Sequence, residues 1–212
     1  MPDTERRFAL AFAIAHEIGN HLAGIRLEAH LLDEAQGARG LAKASLAIDS
    51  LAGQAAPLLA LLRPLLAPGE RRAASGTVAR LLDGIRRQLE EEGSAGHRIV
   101  VEVDPEVGGA PTSVEGLHAL IVALVGPPGA LASDGAPIGL RAGRAGGALA
   151  IRIELPGDGF AEAAEEAASP GGSLRGRALA LELARVLVAD AGGGVEVGHG
   201  EGRSWLALLI PG

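Results

Sequence analysis

His16, Glu17 and Asn20 are the residues whose types and spacing point to chemistry. On a helix, Asn20 lies one turn beyond His16 on the same face, and Glu17 follows the imidazole directly. Ala15 and Gly19 are small and leave the ring open. A solvated imidazole with a carboxylate beside it and an amide above it suits nucleophilic attack on phosphorus. The plainer reading is a surface histidine with ordinary helix neighbours, and for an isolated His that reading prevails. A zinc-protease reading of His16-Glu17 fails on geometry, because the motif needs its second His at i+4. His21 stands at i+5, about 140° around the helix. His21 and His30 read as solvated helix residues, and His97, His118 and His199 have no partner spacing, so structural roles are expected for them.

The element that must carry His16 is one long amphipathic helix from Asp3 or Thr4 to about Gln36, with Thr4 as its expected cap and Gly37 as its C-cap. With Phe8 at heptad position a, Phe8, Ala15, Leu22 and Ala29 fall at a, and Ala11, Ile18, Ile25 and Leu32 at d. Four heptads of apolar a and d positions make a bundle seam, and His16 at b turns outward beside it. A second helical pattern has Leu41, Ile48, Ala55 and Leu62 at one position and Ala44, Leu51, Leu58 and Leu65 at the other. The two predict an antiparallel hairpin whose apolar stripe is buried when two copies form a four-helix bundle. Pro57 and Pro64 are expected to kink the second helix or end it early.

Pro68-Gly69 marks the boundary between a hairpin over 1–68 and a second part over 69–212. There the pattern predicts helices over 77–92, 113–125 and 174–191, the second capped by Thr112 or Ser113. Strands are expected over 97–103, 195–198 and 204–210, with a hairpin of 137–142 and 148–155 joined across 143–147. The expected fold class is α+β: a helical hairpin followed by an α/β sandwich with its sheet covered on one face.

Composition sets the outer limits. The 212 residues are 48% hydrophobic and 21% charged, which suits a globular chain rather than a disordered one. Phe8, Phe12, Phe160 and Trp205 are the only aromatics, so the core must be aliphatic. No cysteine means no disulfide scaffold, thiol nucleophile or Cys-ligated metal. A net charge of -7 and few aromatics argue against nucleic-acid binding. The longest uninterrupted apolar runs fall short of the roughly 20 residues of a membrane span. With no signal-peptide layout at the start, a cytoplasmic protein is expected. Eighteen arginines accompany a single lysine, Lys43, and Asn20 is the sole asparagine.

The string Ala15-His16-Glu17-Ile18-Gly19-Asn20-His21-Leu22-Ala23-Gly24-Ile25 resembles the H-box of bacterial two-component sensor histidine kinases, H-E-x-x-[TN]-P-L-x-x-I. His, Glu, Asn, Leu and Ile match at their spacing, and His21 replaces the usual proline. The resemblance implies that His16 is phosphorylated, that Glu17 assists proton transfer or contacts a partner, and that Asn20 orients a water or the phosphoryl group. The second part resembles the ATP-binding domain of the same kinases, of the gyrase–chaperone–kinase type. Residues 117–125 fall where the N-box helix should be, Leu155-Pro156-Gly157-Asp158-Gly159-Phe160 at the D-x-G-x-G loop, and 173–197 at the glycine-box helix and following strand. Measured against that family, the N-box asparagine is missing, Leu155 replaces the adenine-reading aspartate, Ala178 and Ala180 replace the lid glycines, and the lid shrinks to 161–172.

The resemblance therefore implies a bundle-type histidine phosphotransferase that looks like a degenerate sensor kinase. It would have no cofactor of its own, because receiver domains of response regulators would bring the Mg²⁺. Docking is expected on the bundle flank near His16, with Phe12, Ile14, Gly19 and Ala23 giving close approach. The alternatives are a working small kinase and a non-catalytic dimeric regulator, while phosphatase action on a receiver could accompany relay.

Overall fold

The computed structural model describes residues 3–34, 38–67, 76–91, 98–112, 114–126, 135–169 and 174–211. Helix α1 (Asp3–Glu34) and helix α2 (Ala38–Leu66) form the hairpin. Thr4 lies within α1 rather than at its cap. The Gly37 C-cap falls outside the described residues. Helix α2 continues through both Pro57 and Pro64, so neither proline ends it. The two rings are buried, with Leu58, Leu61 and Leu65 packed among them, and tertiary packing outweighs the lost amide donors. By length and mean hydropathy, 39–66 is apolar enough to cross a membrane, a property that the uninterrupted runs do not reveal. In this fold Ala44, Ala55, Leu58, Leu61 and Leu65 of that stretch are buried, whereas Leu41, Leu46, Leu59 and Leu66 are exposed.

The second part is a two-layer sandwich. Helix α3 (Val78–Glu91) leads into strand β1 (Ile99–Val103), a single-turn helix α4 (Pro105–Gly108) and helix α5 (Leu117–Val125). Strands β2 (Ile138–Ala145) and β3 (Ala148–Pro156) form a hairpin. Helices α6 (Gly159–Ala168) and α7 (Gly176–Asp190) precede strands β4 (Gly194–Gly200) and β5 (Arg203–Ile210). The sheet order is β1-β2-β3-β5-β4, parallel only between β1 and β2. Leu149, Ile151, Ile153 and Leu155 of β3 and Ser204, Leu206, Leu208 and Ile210 of β5 are buried at alternate positions, the period-2 pattern of a sheet covered on one face.

Local differences from the sequence reading have physical causes. The β2–β3 turn tightens to Gly146-Gly147, both at positive φ, and the strands lengthen to use the backbone pairs this frees. Helix α5 starts later than expected, after Gly116 at φ 75°. Thr112 therefore does not cap it, and Ser113 lies outside the described residues. The segment expected to be a shrunken lid is mostly α6, as its alanine and glutamate content favours.

The hairpin and the sandwich share one core. Leu10, Ile14, Ile18, Leu58, Leu61 and Leu65 belong to the same buried cluster as the interior of α3, α5, α7 and the sheet. Arg7, 7% exposed, fastens the joint. It donates to the Leu65 carbonyl of α2 at 3.1 Å, to Asp3 at 2.8 Å and to Asp190 at the end of α7. Burial opposes its charge, but the hydrogen bonds to Asp190 and Asp3 outweigh it and raise its pKa. Arg6 pairs with Glu182 of α7 at 2.6 Å.

Candidate functional site

The face of α1 packed inside the chain runs through Arg7, Leu10, Ile14 and Ile18, with Glu17, His21, Gly24, Ile25 and Glu28 half-buried along its continuation. That is the stripe expected of a helix with 3.6 residues per turn, and it takes in the d positions Ala11, Ile18, Ile25 and Leu32, all buried or half-buried, but not the a positions. The a positions Phe8, Ala15, Leu22 and Ala29 are exposed instead. The difference arises because α1 packs against the sandwich as well as against α2, which a two-helix reading omits.

His16 is exposed on α1, and Asn20 is exposed one turn further along. Gly19 and Ala23 are exposed too, and they surround the imidazole with little side-chain bulk. Phe12, one turn before His16, is 76% exposed. Ile14 does not join them. It is fully buried, about 200° around the helix from His16, and so belongs to the core rather than to a docking flank. Glu17 is half-buried, and its Oε1 accepts a hydrogen bond from the Gly176 amide at 3.3 Å. Gly176 opens α7, whose preceding residue Arg175 gives no side-chain cap. The carboxylate therefore serves an amide that the helix itself leaves unpaired, at the positive end of its dipole. The residue beside His16 ties α1 to α7.

The remaining histidines do not gather around His16. His30 and His199 are exposed, and His118 of α5 is half-buried with its ring toward Gly84 of α3. His97 lies outside the described residues.

The region resembling a nucleotide site has a different chemistry. Leu155 is fully buried, as is most of α5, whose sequence Leu-His-Ala-Leu-Ile-Val-Ala-Leu-Val offers no carboxylate or amide side chain. Ala178 and Ala180 are buried in α7. Asp158 precedes α6, but its side chain does not cap it; the buried Ser204 Oγ accepts from the Phe160 amide at 3.1 Å instead. Arg177 extends from α7 to the end of α5, donating from Nε to the Leu124 carbonyl at 3.0 Å and from Nη2 to the Val125 carbonyl at 2.8 Å. These residues do not fit the magnesium and adenine ligands that the family resemblance calls for. Neither Arg177 nor Gly176 stands out in a sequence with 18 arginines and 32 glycines.

No family model and no curated protein matches the chain by sequence. Solved structures do match. A bacterial phosphotransferase is 16% identical and superposes with a TM-score of 0.58, covering 98% of this chain and 97% of its own. The Acinetobacter baumannii histidine kinase AdeS is 10% identical, with a TM-score of 0.60 over 92% of this chain and 97% of its own. Full-length ShkA, solved in complex with AMPPNP, is 17% identical with a TM-score of 0.54, and the match covers 99% of this chain and 45% of ShkA. Hairpin and sandwich together have the fold shared by histidine kinases and this phosphotransferase.

Proposed function

We propose that the chain is a histidine phosphotransferase of a two-component phosphorelay. The observation that carries the reading is His16 itself, exposed on the hairpin of a histidine-kinase fold within an H-box-like string and surrounded by small residues. An unprotonated imidazole nitrogen attacks the phosphorus of a receiver's aspartyl phosphate. The N–P bond forms as the acyl P–O bond breaks, and the receiver regains its carboxylate. A second receiver's aspartate then attacks the phosphohistidine, the N–P bond breaks, and His16 is returned. The receivers contribute Mg²⁺, which neutralises charge on the transferring group. Asn20 lies within one turn to contact that group, while Phe12, Gly19 and Ala23 form the surrounding surface.

Two copies pair through the exposed a-position stripe of α1, in the cytoplasm. The chain has no autokinase activity in this reading, and the support is chemical: Leu155, Ala178, Ala180 and an apolar α5 supply no ligands for a magnesium nucleotide. A second reading, a small sensor-type kinase, is favoured by the likeness to AdeS. Micromolar binding of Mg-ATP in calorimetry would establish it. The phosphotransferase reading predicts that two purified receivers exchange phosphate through the wild-type protein and that His16→Ala abolishes the exchange. Undiminished relay by His16→Ala would sink it. A purely non-catalytic regulator would bind a receiver equally well with or without His16 and carry no phosphate.

A further inference from the structure

Arg177 is the second residue of α7, and its guanidinium meets two other elements at once. Its two hydrogen bonds end on Leu124 and Val125, in the last turn of α5, where a helix has carbonyls without internal donors and its dipole is negative. Its centre stands 5.8 Å from the Phe160 ring at the start of α6, within cation–π range. The space is kept open by glycine on two sides. A Cβ on Gly159 would lie 2.6 Å from Nη1, and one on Gly126, already at φ +73°, would lie 3.3 Å from Nη2. Burial depresses the Arg177 pKa and Glu162 opposes the depression; a guanidinium stays charged through such a shift.

Arg177 sits at the glycine-box-like helix start, and the two pieces it contacts are the N-box-like helix and the D-x-G-x-G-like loop. We propose that Arg177 is a built-in occupant of the nucleotide-type cleft: its guanidinium fills the junction of α5, α6 and α7 and so holds the start of α7 against Glu17, beside His16. The identity of the cleft rests on the reading above, whereas the bracing rests on the contacts alone. Gly176, which donates to Glu17, immediately precedes Arg177, so anchoring one fixes the other. Arg177 is thus a positioning residue. The chain orders this corner with a side chain of its own.

The test compares full-length wild type with Arg177→Ala and Arg177→Met by thermal unfolding and by hydrogen exchange of the 176–179 amides. Each protein is studied alone, with methylguanidinium chloride and with methylammonium chloride at equal millimolar concentration. Arg177→Met keeps most of the volume and removes the donors, so it folds even if the alanine variant does not. The expected result is a Tm about 3–8 °C lower for both variants and roughly tenfold faster exchange. Methylguanidinium, but not methylammonium, restores Arg177→Ala and leaves Arg177→Met unchanged. Wild-type protection in Arg177→Met, or equal effects of the two salts, overturns the proposal. Relay through His16 is read separately: its loss in the wild type refutes the phosphotransferase and leaves the brace standing, while loss of the rescue does the reverse.

Discussion

Glu17 stands next to His16 in sequence, yet its carboxylate is engaged with α7. The hydrogen bond to Gly176 is long at 3.3 Å, but it meets the positive end of a 15-residue helix. This gives the residue a structural contact, and we propose that this contact, rather than the proton transfer or partner contact that the family resemblance implies, is its main role. A glutamine keeps an acceptor oxygen, whereas an alanine has none. Glu17→Gln should therefore relay phosphate within about twofold of wild type, while Glu17→Ala should be slower and show faster amide exchange at the start of α7. Equal slowing of both variants, with α7 undisturbed, would return Glu17 to the role of a base. Ile14 provides the opposite contrast. Placed on the docking flank by the sequence reading, it is buried, and Ile14→Glu should destabilise the fold by about 3 kcal/mol or more in urea titration through an unpaired buried charge.

Helix α1 has two apolar faces, and only one is satisfied within the chain. Leu10, Ile14 and Ile18 are covered, whereas Phe8 and Phe12 are 65% and 76% exposed. Among the described residues, every large exposed hydrophobic side chain lies on α1 or α2. The unsatisfied surface is therefore concentrated on the hairpin, and it is there that a second copy should bind. The Phe8→Glu, Phe12→Glu double variant should remain folded, because neither ring contributes to the core, and should run as a monomer in light scattering where wild type runs as a dimer. An unchanged dimer mass would place the interface elsewhere. At the C-terminal end of α7 the constraint is steric. A Cβ on Gly193 would lie 2.0 Å from the Leu209 carbonyl oxygen and 2.8 Å from Val188 Cγ1. Gly193→Ala should cost about 2–4 kcal/mol in the same urea titration.

Across the whole molecule, the hairpin and the sandwich are two architectures built on one core, and the boundary expected at Pro68-Gly69 lies outside the described residues. Arg7 links α1, α2 and α7, and the buried cluster runs from Leu10 through α5 to Ile210. Thermal unfolding should accordingly show one transition for hairpin and sandwich together, with coincident near- and far-ultraviolet signals; two separated transitions would mean that the joint carries little of the stability. The hairpin, the sandwich and most elements were legible because period 3.6 and period 2 alternation survive in an aliphatic sequence, as in α3 and β3. The packing face of α1 was legible only at its d positions. The heptad pattern identified apolar positions but not which neighbour each would meet, and Arg7 does not read as buried in any hydrophobic pattern. Helix α6 was hidden by its likeness to a lid, although Phe160–Ala168 contains good helix formers. The exposure of His16, Asn20, Gly19 and Ala23 agrees with the outward position expected of them. The engagement of Glu17 and the reach of Arg177 depend on tertiary contacts between residues far apart in the chain, which local spacing cannot reveal.

The most direct measurement of the central claim follows labelled phosphate onto the chain itself. Incubating the wild-type protein with a phosphorylated receiver, then mapping the modified peptide under alkaline conditions that preserve phosphohistidine, should place an acid-labile phosphate on His16 and nowhere else. Label that remains on the receiver, or that appears on another residue while His16 stays unmodified, would contradict the account.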